Sequence, residues 1–267
     1  MLTPEIIKEE ALKLHEAEKN KQQIKATTKR HPDMTIEDAY AIQSAWMDIK
    51  KSEGRSVAGY KIGLTSKAMQ KSMSIDEPDY GTLLDDMVFE EGTEINASDF
   101  LDPRIEVELA FMLNKRLFGE NISVFDVLSA TEYVVPALEL IAARSHRVDP
   151  DDGYKRTVRD TISDNAANAG IILGGLPVRP DAVDLRWVGA MMLRNGVIEE
   201  SGVSGAVLNH PAKGIAWLAK KYAQHGIALE AGQIILAGSF TRPVPVRQGD
   251  TFTVDYGELG TVSCYFK

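Results

Sequence analysis

Arg104-Ile105-Glu106-Val107-Glu108-Leu109-Ala110-Phe111-Met112-Leu113 alternates residue by residue, and that alternation predicts a β-strand. Ile105, Val107, Leu109, Phe111 and Leu113 point to one side, while Arg104, Glu106, Glu108, Ala110 and Met112 point to the other. Two carboxylates two residues apart on a strand have Cα atoms roughly 6.6 Å apart. Such a pair is either the wet face of an amphipathic strand or part of a site for an oxygen-preferring cation such as Mg²⁺.

Outward from this strand the chain divides in character. Before it, Pro4 to about Lys25 carries Ile7, Ala11, Leu14 and Ala17 at helical spacing, which predicts an amphipathic helix. Thr35 to Glu53 predicts a second helix, with Thr35 as cap, Asp38 at the capping-box position and Gly54 ending it. After Gly54 come short β-like runs broken by Gly, Pro, Asp and Asn. Pro211–His225 reads as a further helix and Thr251–Tyr256 with Thr261–Phe266 as a terminal hairpin. Helices first and strands mostly later give an α+β class. The expected organisation is a helical N-terminal region, residues 1–75, and a metal-binding catalytic β-roll, residues 76–267, together forming one integrated unit.

Composition excludes several functions. Thirty Lys and Arg against 39 Asp and Glu leave a net charge of -9, and no basic block of the kind nucleic-acid binding requires is present. No apolar run is long enough to span a membrane. A single cysteine, Cys264, and an N-terminus without a signal-peptide core suggest a reducing cytoplasm. There is no Gly-x-Ser-x-Gly elbow, no dinucleotide fingerprint and no zinc spacing among the five histidines.

A third carboxylate bears on the meaning of Glu106 and Glu108. Glu139 sits in Val134-Val-Pro-Ala-Leu-Glu139-Leu-Ile, an otherwise apolar run. A lone buried carboxylate costs several kcal/mol unless it is paired or metal-bound; the alternative is a Glu that faces solvent. Lys61, in Gly59-Tyr60-Lys61-Ile62-Gly63, is either an edge-strand lysine or a desolvated one whose lowered pKa suits proton transfer. Asp79, in the turn-like Glu77-Pro78-Asp79-Tyr80-Gly81, is a base, a partner for Lys61 or simply a turn residue. Asp164 lies in a small polar stretch, Asp160 to Asn168, that reads as a supporting loop or a capped turn. Ser239 and Arg242, after the apolar run Ile234–Ala237, are candidates to hold a substrate carboxylate.

Taken in order, Gly59-Tyr-Lys61-Ile-Gly63-Leu-Thr65, Pro103-Arg-Ile-Glu106-Val-Glu108, Pro136-Ala-Leu-Glu139, Asp160-Thr-Ile-Ser-Asp-Asn165, Gly238-Ser-Phe and Gly249-Asp250 resemble the hydratase/decarboxylase branch of the fumarylacetoacetate-hydrolase superfamily. The resemblance implies a mixed β-sandwich roll behind the helical region. It implies Mg²⁺ or Mn²⁺ held by the residues matching Glu106, Glu108 and Glu139, with Lys61 as the family lysine and Asp79 as its acidic partner. Much of the superfamily has Asp at the third ligand position; Glu139 matches this branch. The implied reaction is water addition to a seven-carbon 2-oxo-alkenoic diacid. Decarboxylation of a six-carbon diacid and hydration of a monocarboxylate are the rivals within the branch, and a non-catalytic subunit is the rival outside it. The small-molecule diacid is the implied partner, and homo-oligomers are common in the family. A distal carboxylate calls for a cation, from Arg242 or from the stretch Arg144, His146, Arg147, Lys155, Arg156 and Arg159, most of which reads as solvated.

Overall fold

The computed structural model describes residues 1–267. Its elements run α1 (Pro4–Asn20), α2 (Thr27–Arg30), α3 (Ile36–Ser52), β1 (Val57–Gly63), α4 (Lys67–Ser72), β2 (Asp79–Leu84), β3 (Val88–Glu90), β4 (Glu94–Ile95) and β5 (Arg104–Leu113). They continue α5 (Val124–Ser129), β6 (Thr131–Ile141), α6 (Val158–Ser163), β7 (Asn168–Leu173), β8 (Gly189–Arg194), β9 (Val197–Val203), α7 (Ala212–Ala223), β10 (Ile234–Leu236), β11 (Val244–Pro245), β12 (Thr251–Asp255) and β13 (Thr261–Phe266).

Local chemistry sets most of these boundaries. Thr35 and Asp38 form a reciprocal capping box at the start of α3. Helix α1 stops at Asn20, short of the predicted Lys25, because Lys21 turns left-handed (φ 53°) and its N–H closes back on Ala17 and Glu18.

The strands form two sheets. The larger has the order β2-β1-β10-β5-β6-β7-β3, with β11 also paired to β5; the smaller is β4-β13-β12-β8-β9. Strand β5 pairs antiparallel with β6 and β10, and β1 runs parallel to β10. Lys61 therefore stands in the same sheet as the three glutamates, although it precedes them by more than 40 residues.

Both faces of β5 are covered. Ile105, Val107, Leu109 and Phe111 join a core shared with Phe252, Val254, Val262 and Phe266 of the smaller sheet and with Ile215 and Leu218 of α7. On the opposite face Ala110, Ala137, Ile171, Ile234 and Leu236 pack against Ala11 and Leu14 of α1 and Ile42, Trp46 and Met47 of α3. The molecule is thus helices on sheet on sheet, an α+β arrangement, and the polar face of β5 lies beneath the helical layer. No helix is long and apolar enough to cross a membrane.

Candidate metal centre and active site

Register brings the carboxylates together. Glu106 of β5 lies directly opposite Glu139 of β6, and Glu108 follows two residues on, on the same face. Like charges directly opposite each other in an antiparallel pair are destabilising, so this arrangement asks for a cation. The carboxylate oxygens of the three glutamates lie within 4.8 Å of one another. Glu108 and Glu139 are buried and Glu106 is half-buried. The solvent-facing alternatives for Glu139 and for the polar side of β5 do not hold, because the N-terminal helices cover that face.

Each oxygen has a distinct setting. Glu108 Oε2 accepts the Gly238 N–H at 2.8 Å. Glu139 Oε1 is buried without a hydrogen-bond donor; Lys61 Nζ stands 3.3 Å away as an ion-pair partner. Burial pushes the Glu106 carboxyl up to about 7, with the Glu139 charge adding to it. Burial, then Glu139 and Glu106, raise Glu108 well above the ordinary range. An orphaned oxygen, an all-oxygen donor set and mutual repulsion fit a hard divalent cation, and three protein ligands leave octahedral positions for substrate or water.

Lys61 and Asp79 occupy one end of the cluster. Lys61 is opposite Gly81 and Asp79 opposite Gly63 in the β1–β2 pairing, so all four are on the carboxylate face. Asp79 opens a strand and does not sit in a free turn. A Cβ on Gly63 would fall 2.2 Å from Asp79 Oδ1 and 3.2 Å from Lys61 Nζ, which is why glycine stands there. Burial works against the charged form of Lys61, yet Glu139, Asp79, Glu106 and Glu108 outweigh it, and its pKa lies above the ordinary lysine value. Without a cation on the glutamates, the surrounding carboxylates thus reverse the lowering that desolvation alone would give Lys61. Asp79 moves the other way. Burial lifts it to about 6, the Lys61 charge opposing and Glu139 adding.

Gly63→Ala is expected to move Asp79 aside while leaving the three glutamates in place. Misplacement by about 1 Å costs on the order of 10²-fold in rate, so kcat should fall by about that factor at unchanged Mg²⁺ affinity. Calorimetry of Mg²⁺ beside steady-state kinetics reads both.

The remaining candidates fall elsewhere. The Ser239 hydroxyl closes a local turn with Thr241, donating to its carbonyl at 2.9 Å and accepting its N–H at 3.2 Å. The contribution of that segment to the glutamates is the Gly238 N–H. Arg242 is 82% exposed in its side chain and pairs with Glu200 at 2.8 Å, so the structure does not bring it to the cluster. Asp164 is fully buried, accepting from Arg144 Nε at 2.5 Å and its backbone N–H at 2.9 Å, and from Arg156 at 3.2 Å. The basic stretch is also less solvated than its composition suggests: Arg144 is buried against Trp46, and Arg159 donates to the Pro32 and Met34 carbonyls.

Two supports escaped sequence reasoning. The Tyr256 hydroxyl lies 2.6 Å from the Ala137 carbonyl and 3.2 Å from the Glu108 carbonyl, tying β5 to β6 beside the site. The Asn165 side chain brackets Thr82, accepting its N–H at 2.7 Å and donating to its carbonyl at 2.8 Å, which fixes the strand that carries Asp79. Neither long-range contact leaves a local pattern; the Asp160–Asn168 polar stretch was the only hint. A groove of about 700 Å³, lined by Trp187, Met191, Val203 and Leu259 among others, includes none of the three glutamates.

Residues 58–266 match the fumarylacetoacetate (FAA) hydrolase C-terminal family. The chain is 62% identical to 2-oxo-hept-4-ene-1,7-dioate hydratase of Escherichia coli over 96% of each chain. It is 36% identical to 2-hydroxyhexa-2,4-dienoate hydratase of Comamonas testosteroni over 100% of this chain and 99% of the relative. Among solved structures, 4-oxalocrotonate decarboxylase from Pseudomonas putida G7, complexed with magnesium and adipate, is similar with a TM-score of 0.94 and 35% identity, covering 100% of this chain and 99% of that one.

Proposed function

Because the chain belongs to the fumarylacetoacetate hydrolase family, we propose that it is a Mg²⁺-dependent hydratase that adds water to 2-oxohept-4-ene-1,7-dioate, giving 4-hydroxy-2-oxoheptanedioate. The observation that carries this reading is the 62% identity, end to end, with a hydratase of that substrate, against 35% with a decarboxylase of nearly the same fold. The reaction belongs to the catabolism of aromatic compounds. The chain acts in the cytoplasm as a homo-oligomer in this reading; its single cysteine, Cys264, is free and buried, and the exposed apolar side chains Trp187 and Met191 offer surface for self-association.

Glu106, Glu108 and Glu139 would hold the cation, which would supply Lewis-acid polarisation to a 2-oxo acid. The chain's own residues then move a proton. Asp79, lifted to about 6, is poised near neutrality to take a proton from C3 and deliver it at C5, shifting the double bond into conjugation with the ketone. Lys61, 3.3 Å from Glu139 and on the same face as Asp79, orients both carboxylates and stabilises negative charge that develops on the substrate. Water adds at C4 of the conjugated ketone. The N-terminal helices over this face limit solvent access to the carboxylates.

The test is a product assay of purified, Mg²⁺-loaded protein with 2-oxohept-4-ene-1,7-dioate and, separately, 4-oxalocrotonate, following the chromophore and CO₂ together. Consumption of the seven-carbon diacid without CO₂ is the expected result. Release of CO₂ from the six-carbon diacid, with the seven-carbon one left unhydrated, overturns the reading.

A further inference from the structure

Residues 147–156 form a short hairpin in which the Arg156 N–H donates to the Arg147 carbonyl at 3.1 Å and Val148 bridges to Lys155. Two arginines therefore lie opposite each other at the base of this loop, like charges that repel unless an anion lies between or beside them. The acidic tip does not relieve it. Asp149 and Asp152 pair with Lys29 at 2.5 and 2.6 Å, and Asp151 pairs with Lys25 at 2.7 Å, so the tip is tied to the N-terminal region.

The nearer carboxylates are each shared by two arginines. Asp102 accepts from Arg147 at 2.6 Å and lies 3.6 Å from Arg104. Asp164 accepts from Arg144 at 2.5 Å and from Arg156 at 3.2 Å. In direct ion pairs, then, four guanidinium groups share two carboxylates, a surplus of positive charge at contact distance. Much of it is out of water: the Arg156 side chain is 7% exposed and that of Arg147 21%. Donors are left over as well. The hydrogen bonds of Arg156 within the chain run through Nη1, to Asp164 and the Ser145 carbonyl, and those of Arg147 through Nε and Nη2, to Asp102. Arg156 Nε and Nη2 and Arg147 Nη1 remain for a ligand.

The surplus borders the carboxylate cluster. Arg104 is two residues before Glu106 on the same face of β5, with its Nε buried and unpartnered. Arg147 shares Asp102 with Arg104, and Arg156 shares Asp164 with Arg144, so the guanidinium cluster begins two residues from Glu106.

We infer that Arg147 and Arg156, with Arg104 beside them, form an anion subsite that receives the second carboxylate of a dicarboxylic 2-oxo acid and sets the preference for diacids over monoacids. The inference rests on the proposed 2-oxo acid chemistry of the adjoining centre. Its ligand is a carboxylate on a short carbon chain whose other end, a 2-oxo acid, sits at the glutamates. Planar guanidinium donors suit a carboxylate better than a lysine ammonium would, because two N–H groups match its two oxygens.

The experiment is calorimetric binding of two unreactive probes to Mg²⁺-loaded protein: 2-oxoheptanedioate and 2-oxoheptanoate, which differ only in the distal carboxylate. The parent protein is expected to bind the diacid about 10- to 100-fold more tightly, the range for charge-assisted hydrogen bonds. In Arg147→Gln that advantage should collapse to within about threefold, a change of the ratio that general loss of packing does not produce. Arg156→Lys keeps the charge opposite Asp164 and should narrow the ratio only in part, guarding against a folding defect in the first variant. Equal binding of the two probes by the parent, or a diacid advantage that survives both substitutions, overturns the inference. Because neither probe is turned over, failure of the hydration assay would bear on the proposed reaction, while the affinity ratio bears on the subsite alone.

Discussion

Glu139→Gln is expected to reduce turnover by about 10²- to 10⁴-fold, since Lewis-acid stabilisation is worth several kcal/mol and each 1.36 kcal/mol is tenfold in rate. The same change should leave the metal-free fold as stable as the parent or more so. Glu139 faces Glu106 directly across the β5–β6 ladder, and one of its oxygens is buried without a donor. A neutral amide of the same shape removes a like-charge pair while leaving the Lys61 ion-pair contact unreplaced. Repulsion from two carboxylates outweighs the loss of that single contact, which lacks hydrogen-bond geometry. Steady-state kinetics, Mg²⁺ calorimetry and melting in chelator read the three effects.

The same balance sets a pH dependence for the metal-free protein. Glu106 and Asp79 have folded-state pKa values raised to about 7 and about 6. Between their unfolded values near 4 and these, the folded state binds more protons, so stability is greatest below the lower limit and is lost as pH rises to about 7. Melting in chelator should fall from pH 5 to pH 7.5, and Mg²⁺ should remove most of that fall. A flat metal-free profile together with an unstable Glu139→Gln protein would show that the carboxylates do not repel as argued.

Asp164→Asn is expected to cost about 3–5 kcal/mol of stability, the range for breaking a buried ion pair by removing one partner. Asp164 is fully buried and is the carboxylate for both Arg144 and Arg156, so the amide removes the ion-pair partner of two guanidinium groups at once. It also loosens a strained turn. Asn165, Ala166 and Ala167 hold φ of 53°, 50° and 62°, left-handed values that cost non-glycine residues on the order of 1–3 kcal/mol each. Arg144 clamps this turn through the Asp164 and Asn168 carbonyls, at 2.7 and 3.1 Å, and Asn165 passes its position on to Thr82 of the Asp79 strand. Urea denaturation should show the loss, and the surviving folded fraction should have reduced kcat. Replacing Arg144 and Asp164 together by apolar residues should cost less than the two single losses added, because only Arg156 then loses its carboxylate and the buried Arg144 charge goes with Asp164. Full additivity would mean the pair does not act as a unit.

The strand from Arg104 to Leu113, the capped helix beginning at Thr35 and the α+β class were legible from the sequence because each depends on neighbours within a few residues. Side-chain alternation and a capping box need no distant partner to be recognised. The resemblance of ordered motifs pointed to Glu106, Glu108, Glu139, Lys61 and Asp79, and the structure brings all five to one face of one sheet. The direction of the Lys61 pKa was not legible, because it is the sum of burial and four carboxylates that come from three other strands. Nor was the fate of Arg242, which register and surface exposure assign to Glu200. The charges of the Arg144–Arg159 stretch look solvated in a list of residues. Only their burial, and the sharing of Asp102 and Asp164, reveal a cluster of arginines held two to a carboxylate beside the glutamates. Short-range hydrogen bonding and periodicity are written in consecutive residues; net charge at a point in space is a sum over elements that only the tertiary structure brings within reach of one another.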